Sequence, residues 1–117
     1  MNNKQKGNAG ELIATLYLIL KGYTILERNF LVSGGEIDII AKKNDEIAII
    51  EVKTRKNDDY GTPKEAVNYY KKKHIIHATN IFIRRNMLFD KKVRFDVMEI
   101  YLPKLKINHI KHAFEIF

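Results

Sequence analysis

The chain has 117 residues, 45% hydrophobic and 30% charged, the balance of one soluble globular domain (1–117) around a single core. It has no cysteine, which excludes a disulfide framework and thiolate metal ligation, and no apolar run that could span a bilayer, because Lys21 and Gly22 interrupt the one starting at Leu12. A net charge of +7 and a pI near 9.6 point to a polyanionic partner, nucleic acid before anionic membrane, and the stretch from Met1 to Asn8 lacks the apolar core of a signal peptide, so a cytoplasmic protein is expected.

Asn8 or Asn3 is placed to cap a first helix running to about Lys21. Its apolar residues Leu12, Ile13, Leu16, Tyr17, Ile19 and Leu20 cover more than one face, which predicts a mostly buried helix. Glu11 then falls in the first turn, where a carboxylate suits the helix dipole, and Gly22 ends the helix. Tyr23–Phe30 reads as a strand, closed by Ser33-Gly34-Gly35.

Two further strand patterns flank a polar turn at Lys43-Asn44-Asp45. The first, Glu36 to Lys42, sets Glu36, Asp38 and Ile40 on one face and Ile37, Ile39 and Ala41 on the other. The second, Glu46 to Arg55, sets Ile47, Ile49, Glu51, Lys53 and Arg55 on one face and Ala48, Ile50 and Val52 on its reverse. With Asn44-Asp45 as a two-residue hairpin loop, Lys43 lies opposite Glu46, Asp38 opposite Glu51, and Glu36 opposite Lys53. Cβ atoms so opposed stand roughly 4.5–5.5 Å apart, and like charges there destabilise a sheet. An Asp38–Glu51 pair therefore calls for a cation, either Lys53 or a divalent metal. Asn-Asp is not the favoured Asn-Gly, and a longer loop would shift this pairing.

Lys56 to Pro63 is a polar loop. Thr62 as N-cap, Pro63 at the first helical position and Glu65 at N3 predict a second helix from Pro63 to about Arg85. Its inward stripe is Ala66, Val67, Tyr70, His74, Ile75, Ala78, Ile81 and Phe82, with Lys71, Lys72 and Lys73 in the middle. After a connector from Asn86 to Lys91, Lys92–Leu102 alternates as a strand, with Val93, Phe95, Val97 and Glu99 on one face and Arg94, Asp96 and Met98 on the other, until Pro103 stops it. The tail from Lys104 to Phe117 fits a short strand or a helical turn equally. This order, with a helix between strands, predicts an α/β sandwich with a mixed sheet and a helix on each face.

Asp38, Glu51 and Lys53 together resemble the requirement of metal-assisted phosphodiester hydrolysis. Two carboxylates can hold Mg²⁺, leaving positions for water and a phosphate oxygen, and a lysine two residues on can orient or deprotonate that water. Glu11 can complete the cluster and the Val52 backbone carbonyl can add a ligand. The residues alone are equally compatible with a structural ion pair. Lys71, Lys72 and Lys73 are as readily a solvated helix face as a set of phosphate contacts, alongside Arg55. Glu36 is read as an ion-pair partner of Lys53 or Arg55 or as support for the site, and Asp96 as an ion-pair partner of Arg94 or Arg55. Tyr69 and Tyr70 can stack on bases, though one belongs to the core stripe. His74 and His77 show no convergence, and His109 with His112 has helical spacing for zinc but no further ligands.

The pattern Glu11, Gly35-Glu36-Ile37-Asp38 and Glu51-Val52-Lys53 resembles the PD-(D/E)xK nuclease superfamily, whose core runs α-β-β-β-α-β. Gly10-Glu11, Arg28-Asn29, Glu51-Val52-Lys53-Thr54-Arg55, Gly61, Pro63, Ala66-Val67, Lys71, Arg94-Phe95-Asp96-Val97, His109 and Ala113-Phe114 extend the resemblance to the YraN-like uncharacterised bacterial family, similar to archaeal Holliday junction resolvases. The tripeptide Glu-x-Lys is common; Gly-Glu-Ile-Asp followed by Glu-Val-Lys-x-Arg at this interval is far more specific. The resemblance implies a restriction-endonuclease-like fold and a Mg²⁺-dependent endonuclease, with Mn²⁺ as substitute, acting on DNA such as branched or repair intermediates. It implies Asp38 and Glu51 as metal-binding carboxylates, Lys53 as the catalytic lysine, Glu11 as the acidic residue on the helix, and a homodimer by analogy. The alternative is a nucleic-acid-binding module of the same fold without efficient cleavage.

Overall fold

The β-branched runs on either side of Asn44-Asp45 do form a hairpin, and the rest of the sheet grows outward from it. The computed structural model describes residues 3–58 and 68–115. In chain order the elements are α1 (Asn3–Leu20), β1 (Thr24–Val32), β2 (Gly35–Lys43), β3 (Glu46–Lys56), α2 (Tyr69–Arg85), β4 (Lys92–Leu102) and β5 (Lys106–Ile110). The expected loop residues Asp59, Tyr60 and Gly61, the helix start at Thr62, Pro63 and Glu65, the inward residues Ala66 and Val67, and Ile116 and Phe117 lie outside the described residues.

Five strands make one mixed sheet in the order β1-β2-β3-β4-β5, antiparallel throughout except for the parallel pair β3–β4. A parallel pair needs a crossover, and α2 lies in the connection that supplies it. The two-residue loop pairs Lys43 with Glu46, as the alternation predicts. Asn44 makes it possible without glycine by adopting φ 55°, a left-handed conformation that asparagine tolerates.

Each helix covers one face. Ile75, Ala78 and Phe82 of α2 pack on Ile47, Ile49, Phe95 and Val97, while Ala14 and Leu18 of α1 pack on Ala48, Ile50, Met98 and Ile100. The faces of β3 and β4 therefore follow their alternation. In β2 they do not: Ile37 joins Ile40 on the α2 side, whereas Ile39 and Ala41 lie on the α1 side. The expected grouping of Ile37 with Ile39 fails at Asp38, the residue between them, where β2 stops pairing with β3: the ladder ends at Ile39–Ile50 and the Asp38 side chain takes the Val52 N–H instead.

The helices also depart from their sequence patterns. α1 begins at Asn3, so Asn8 lies within it and Glu11 sits well past its first turn. It is not mostly buried: Leu12, Leu16, Ile19 and Leu20 are 49%, 52%, 51% and 84% exposed, since one helix lying on a sheet can bury only the stripe it presents. α2 begins after Asn68, whose backbone is extended (φ −83°, ψ 177°) and whose side chain accepts the Lys71 N–H at 2.9 Å. Tyr70 and His74 are exposed rather than part of the core stripe. The tail resolves into β5, antiparallel to β4. No helix among the described residues is long and apolar enough to cross a membrane.

Candidate functional site

The β2–β3 ladder stops at the Ile39–Ile50 pair. One step further the register would set Asp38 opposite Glu51 and continue to Glu36 and Lys53. Instead, Asp38 Oδ2 accepts the backbone N–H of Val52 at 2.8 Å. A side-chain carboxylate thus stands in for a backbone partner, and the hairpin opens where its acidic residues begin.

That opening lets the two layers of the sandwich meet. Glu51 shares its strand face with Ile47 and Ile49, which pack toward α2, and its carboxylate is ion-paired with the Lys71 ammonium of α2. Glu11 comes from α1 on the opposite side. Both carboxyls line the same cleft as Asp38, near enough for its charge to act on them. Gly10 allows the approach of α1: a Cβ there would run into the Thr54 hydroxyl on β3. Asn29, with its amide nitrogen turned to Glu11, donates to the two carboxylate oxygens at 3.1 and 3.2 Å.

Crowding three carboxylates has the expected electrostatic result. Burial, then the Asp38 charge and hydrogen bond, push Glu11 from an ordinary 4.5 to about 7, with Arg28 opposing weakly. Burial and Asp38 also raise Glu51 from 4.5 to about 7, although Lys71 pulls the other way. Lys71 loses from burial, but its hydrogen bond and charge contact with Glu51 outweigh that and raise it. The effects on the two partners are unequal: contact with Glu51 raises Lys71, while in Glu51 burial and Asp38 outweigh the pull of Lys71.

An open cleft runs past these groups, lined by Glu11, Asn29, Glu36, Asp38, Glu51, Val52, Lys53, Arg55 and Lys71, with Lys4, Lys56 and Asn57 also on its walls. Most of the residues singled out from sequence therefore share one concavity. Lys53 is exposed on the wall and Glu36 is exposed beside it. Arg55 donates to Glu99 Oε2 at 2.6 Å, and Asn108 donates to Glu99 Oε1 at 3.0 Å. Lys72 and Lys73 turn elsewhere, their ammonium groups over the rings of Phe114 (5.4 Å) and Tyr69 (4.8 Å). Tyr69 and Tyr70 form an exposed edge-to-face pair with centroids 5.6 Å apart.

Asp96 is not on the cleft wall. It is fully buried, bonded to Arg94 Nε at 2.8 Å and to His109 Nε2 at 2.7 Å. Arg94 also donates to Tyr23 Oη and to Glu46 Oε1, each at 2.7 Å. Burial raises the Asp96 carboxyl, but the His109 and Arg94 bonds outweigh burial and leave it below the ordinary carboxylate range. The network ties β5 and the segment before β1 to β4, and it accounts for the expected Arg94–Asp96 pair.

Sequence reasoning names Lys71 as a phosphate contact together with Lys72 and Lys73; it is instead paired with Glu51, from the first turn of α2. One residue at the site has no role assigned from sequence. Asn29 carried no chemical signal beyond its adjacency to Arg28 in the resemblance. Among the described residues, no group of three or more His, Asp or Glu side chains already stands in metal-holding geometry. Glu51 is occupied by Lys71 and one Asp38 oxygen by Val52.

The chain belongs to the uncharacterised protein family UPF0102, whose model matches residues 10–100. A UPF0102 protein of Clostridioides difficile is 50% identical over 114 residues, covering 97% of this chain and all (100%) of that one. Similar proteins of Clostridium beijerinckii and Caldanaerobacter subterraneus are 47% identical over 118 residues and 43% over 119, covering 97% of this chain in both cases and 96% and 98% of theirs. A solved structure titled "Crystal structure of SSO0001" aligns with a TM-score of 0.36 and 21% identity over 89% of this chain; the chain spans 50% of that structure's length.

Proposed function

We propose that this chain is a divalent-metal-dependent endonuclease of restriction-endonuclease-like fold that hydrolyses DNA phosphodiesters, branched or repair intermediates among them. The observation that carries this reading is that Glu11, Asp38, Glu51 and Lys53 line one cleft where the hairpin opens. The element order α-β-β-β-α-β supports it. So do the net charge of +7 and the lysines along the cleft, which favour a phosphate backbone.

The donor set fits a hard cation: the three side chains offer only carboxylate oxygens, and their mutual repulsion is relieved by positive charge. Asp38, Glu51 and Glu11 would hold Mg²⁺, or Mn²⁺ in its place, with the Val52 carbonyl adding an oxygen. The bound ion would supply polarisation of a phosphoryl oxygen and a lowered pKa for water. Lys53, on the same strand face as Glu51 and exposed on the cleft wall, would orient the attacking water and balance charge on the phosphoryl oxygens. Lys72 and Lys73 extend the phosphate-binding surface outside the cleft, and Arg55 lines it. Glu36 and Asp96 support the site from outside its centre. A homodimer would present two such clefts to a branched substrate.

The second reading, a nucleic-acid-binding module without efficient cleavage, is favoured by the engagement of Glu51 with Lys71. Supercoiled, linear, single-stranded and branched DNA incubated with the protein in Mg²⁺ or Mn²⁺, beside a Lys53→Ala control, separates the two. Cleavage abolished by the substitution supports the endonuclease. Cleavage that survives it removes Lys53 from the mechanism, and binding without cleavage selects the second reading.

A further inference from the structure

The acidic cluster contains its own cation. Lys71 lies in the first turn of α2, its backbone N–H fixed at 2.9 Å by the Asn68 side chain, while its ammonium is paired with a Glu51 carboxylate that is only 6% exposed. The two ends of this pair differ. The Lys71 side chain is 43% exposed, with a flexible aliphatic stem, so it can leave without moving the helix; Glu51 is held in the sheet and cannot.

Because Asp38 and Glu11 line the same cleft as Glu51 and Lys71, the charge that Lys71 neutralises is shared by all three carboxylates. Any divalent cation entering between them meets an oxygen already taken by an ammonium. We propose that Lys71 is the built-in counter-ion of this cluster, competing with the divalent cation for Glu51 and, once displaced, presenting its ammonium to a phosphate of the nucleic acid. This rests on the metal-dependent reading above and adds an order to it: cation first, then a new positive charge in the cleft. Lys53, on the neighbouring wall, is the contrasting residue, since it is exposed and Glu51 is paired with Lys71 instead.

The test is calorimetric titration of the metal-free protein with Mn²⁺ for wild type, Lys71→Met, Lys71→Arg and Glu51→Gln, with melting temperatures with and without Mn²⁺. Lys71→Met is expected to bind Mn²⁺ on the order of tenfold more tightly, the size of one lost charge-assisted hydrogen bond in competition. It should melt lower than wild type without Mn²⁺ and recover when Mn²⁺ is added. A merely structural lysine would lower the melting temperature equally in both conditions. Lys71→Arg keeps the ion pair and should retain wild-type affinity for Mn²⁺. In DNA-binding titrations, the gain in affinity that Mn²⁺ gives wild type should be lost in Lys71→Met.

Mn²⁺ binding that is unchanged or weaker in Lys71→Met overturns the competition while leaving the metal site standing. Mn²⁺ binding by none of the proteins, or binding by Glu51→Gln equal to wild type, overturns the metal-dependent reading itself and this inference with it.

Discussion

Asp38 and Val52 are joined by a 2.8 Å hydrogen bond from the Val52 backbone N–H to the Asp38 carboxylate, just past the last ladder pair of the central hairpin. The bond fixes where the strands part, and the same carboxylate faces Glu11 and Glu51. Asp38→Ala leaves the Val52 N–H without its acceptor and should cost about 1–3 kcal/mol in urea denaturation. Asp38→Asn keeps an acceptor oxygen but removes the charge, so the Glu11 and Glu51 carboxyls should both titrate closer to 4.5 in side-chain NMR.

The metal-free protein should lose stability as pH rises. Glu11 and Glu51 titrate near 7 when folded, against 4.5 ordinarily, so between those values the folded state holds protons that the unfolded chain has released. Unfolding therefore becomes easier as pH climbs from about 4.5 to 7 and levels off above. For the buried Glu51 the loss is at most about 3 kcal/mol. Urea denaturation in a chelator at pH 5.5 and pH 8 should show the decline, and Glu51→Gln should flatten it.

Gly10→Ala should destabilise the fold although alanine is the better helix former. The added methyl meets the Thr54 side chain at its hydroxyl and Cβ, so Thr54 and α1 must move apart. Overpacking of this kind costs about 1–3 kcal/mol. Because Glu11 moves with the helix, its titration should also shift back toward 4.5.

Arg94→Met should be more damaging than any change on the cleft wall. It leaves the fully buried Asp96 with only His109 and the His112 N–H as partners, and removes donors to Tyr23 and Glu46. Breaking a buried pair from one side costs about 3–5 kcal/mol. Asp96 is held below the ordinary carboxylate range, so its contribution is present above that range and lost as pH falls beneath it. Wild type should therefore show an acid unfolding limb that Asp96→Asn shifts.

The central hairpin, its register, the faces of β3 and β4 and the boundaries of β4 were legible in the chain, because β-branched alternation bounded by turn residues is a local property. The same local pattern leads to the expectation of a counter-charge for Asp38 and Glu51; the ladder ends before it pairs them, and the ammonium on Glu51 is that of Lys71 rather than Lys53. Three-dimensional packing decided the rest. The alternation of β2 breaks at Asp38, where the strand leaves its β3 partner, which no pattern within β2 encodes. The apolar residues of α1 were counted as core, yet Leu16 is 52% exposed, since periodicity records apolar positions but not how much surface a sheet offers to cover them. Lys71 reaches Glu51 from 20 positions along the sequence only because the β3–α2 connection returns the helix over the sheet. Local patterning determines strands, turns and which charges collide; the crossover and the packing of α1 through Gly10 determine which distant side chains answer them, because those distances exist only once the layers have closed.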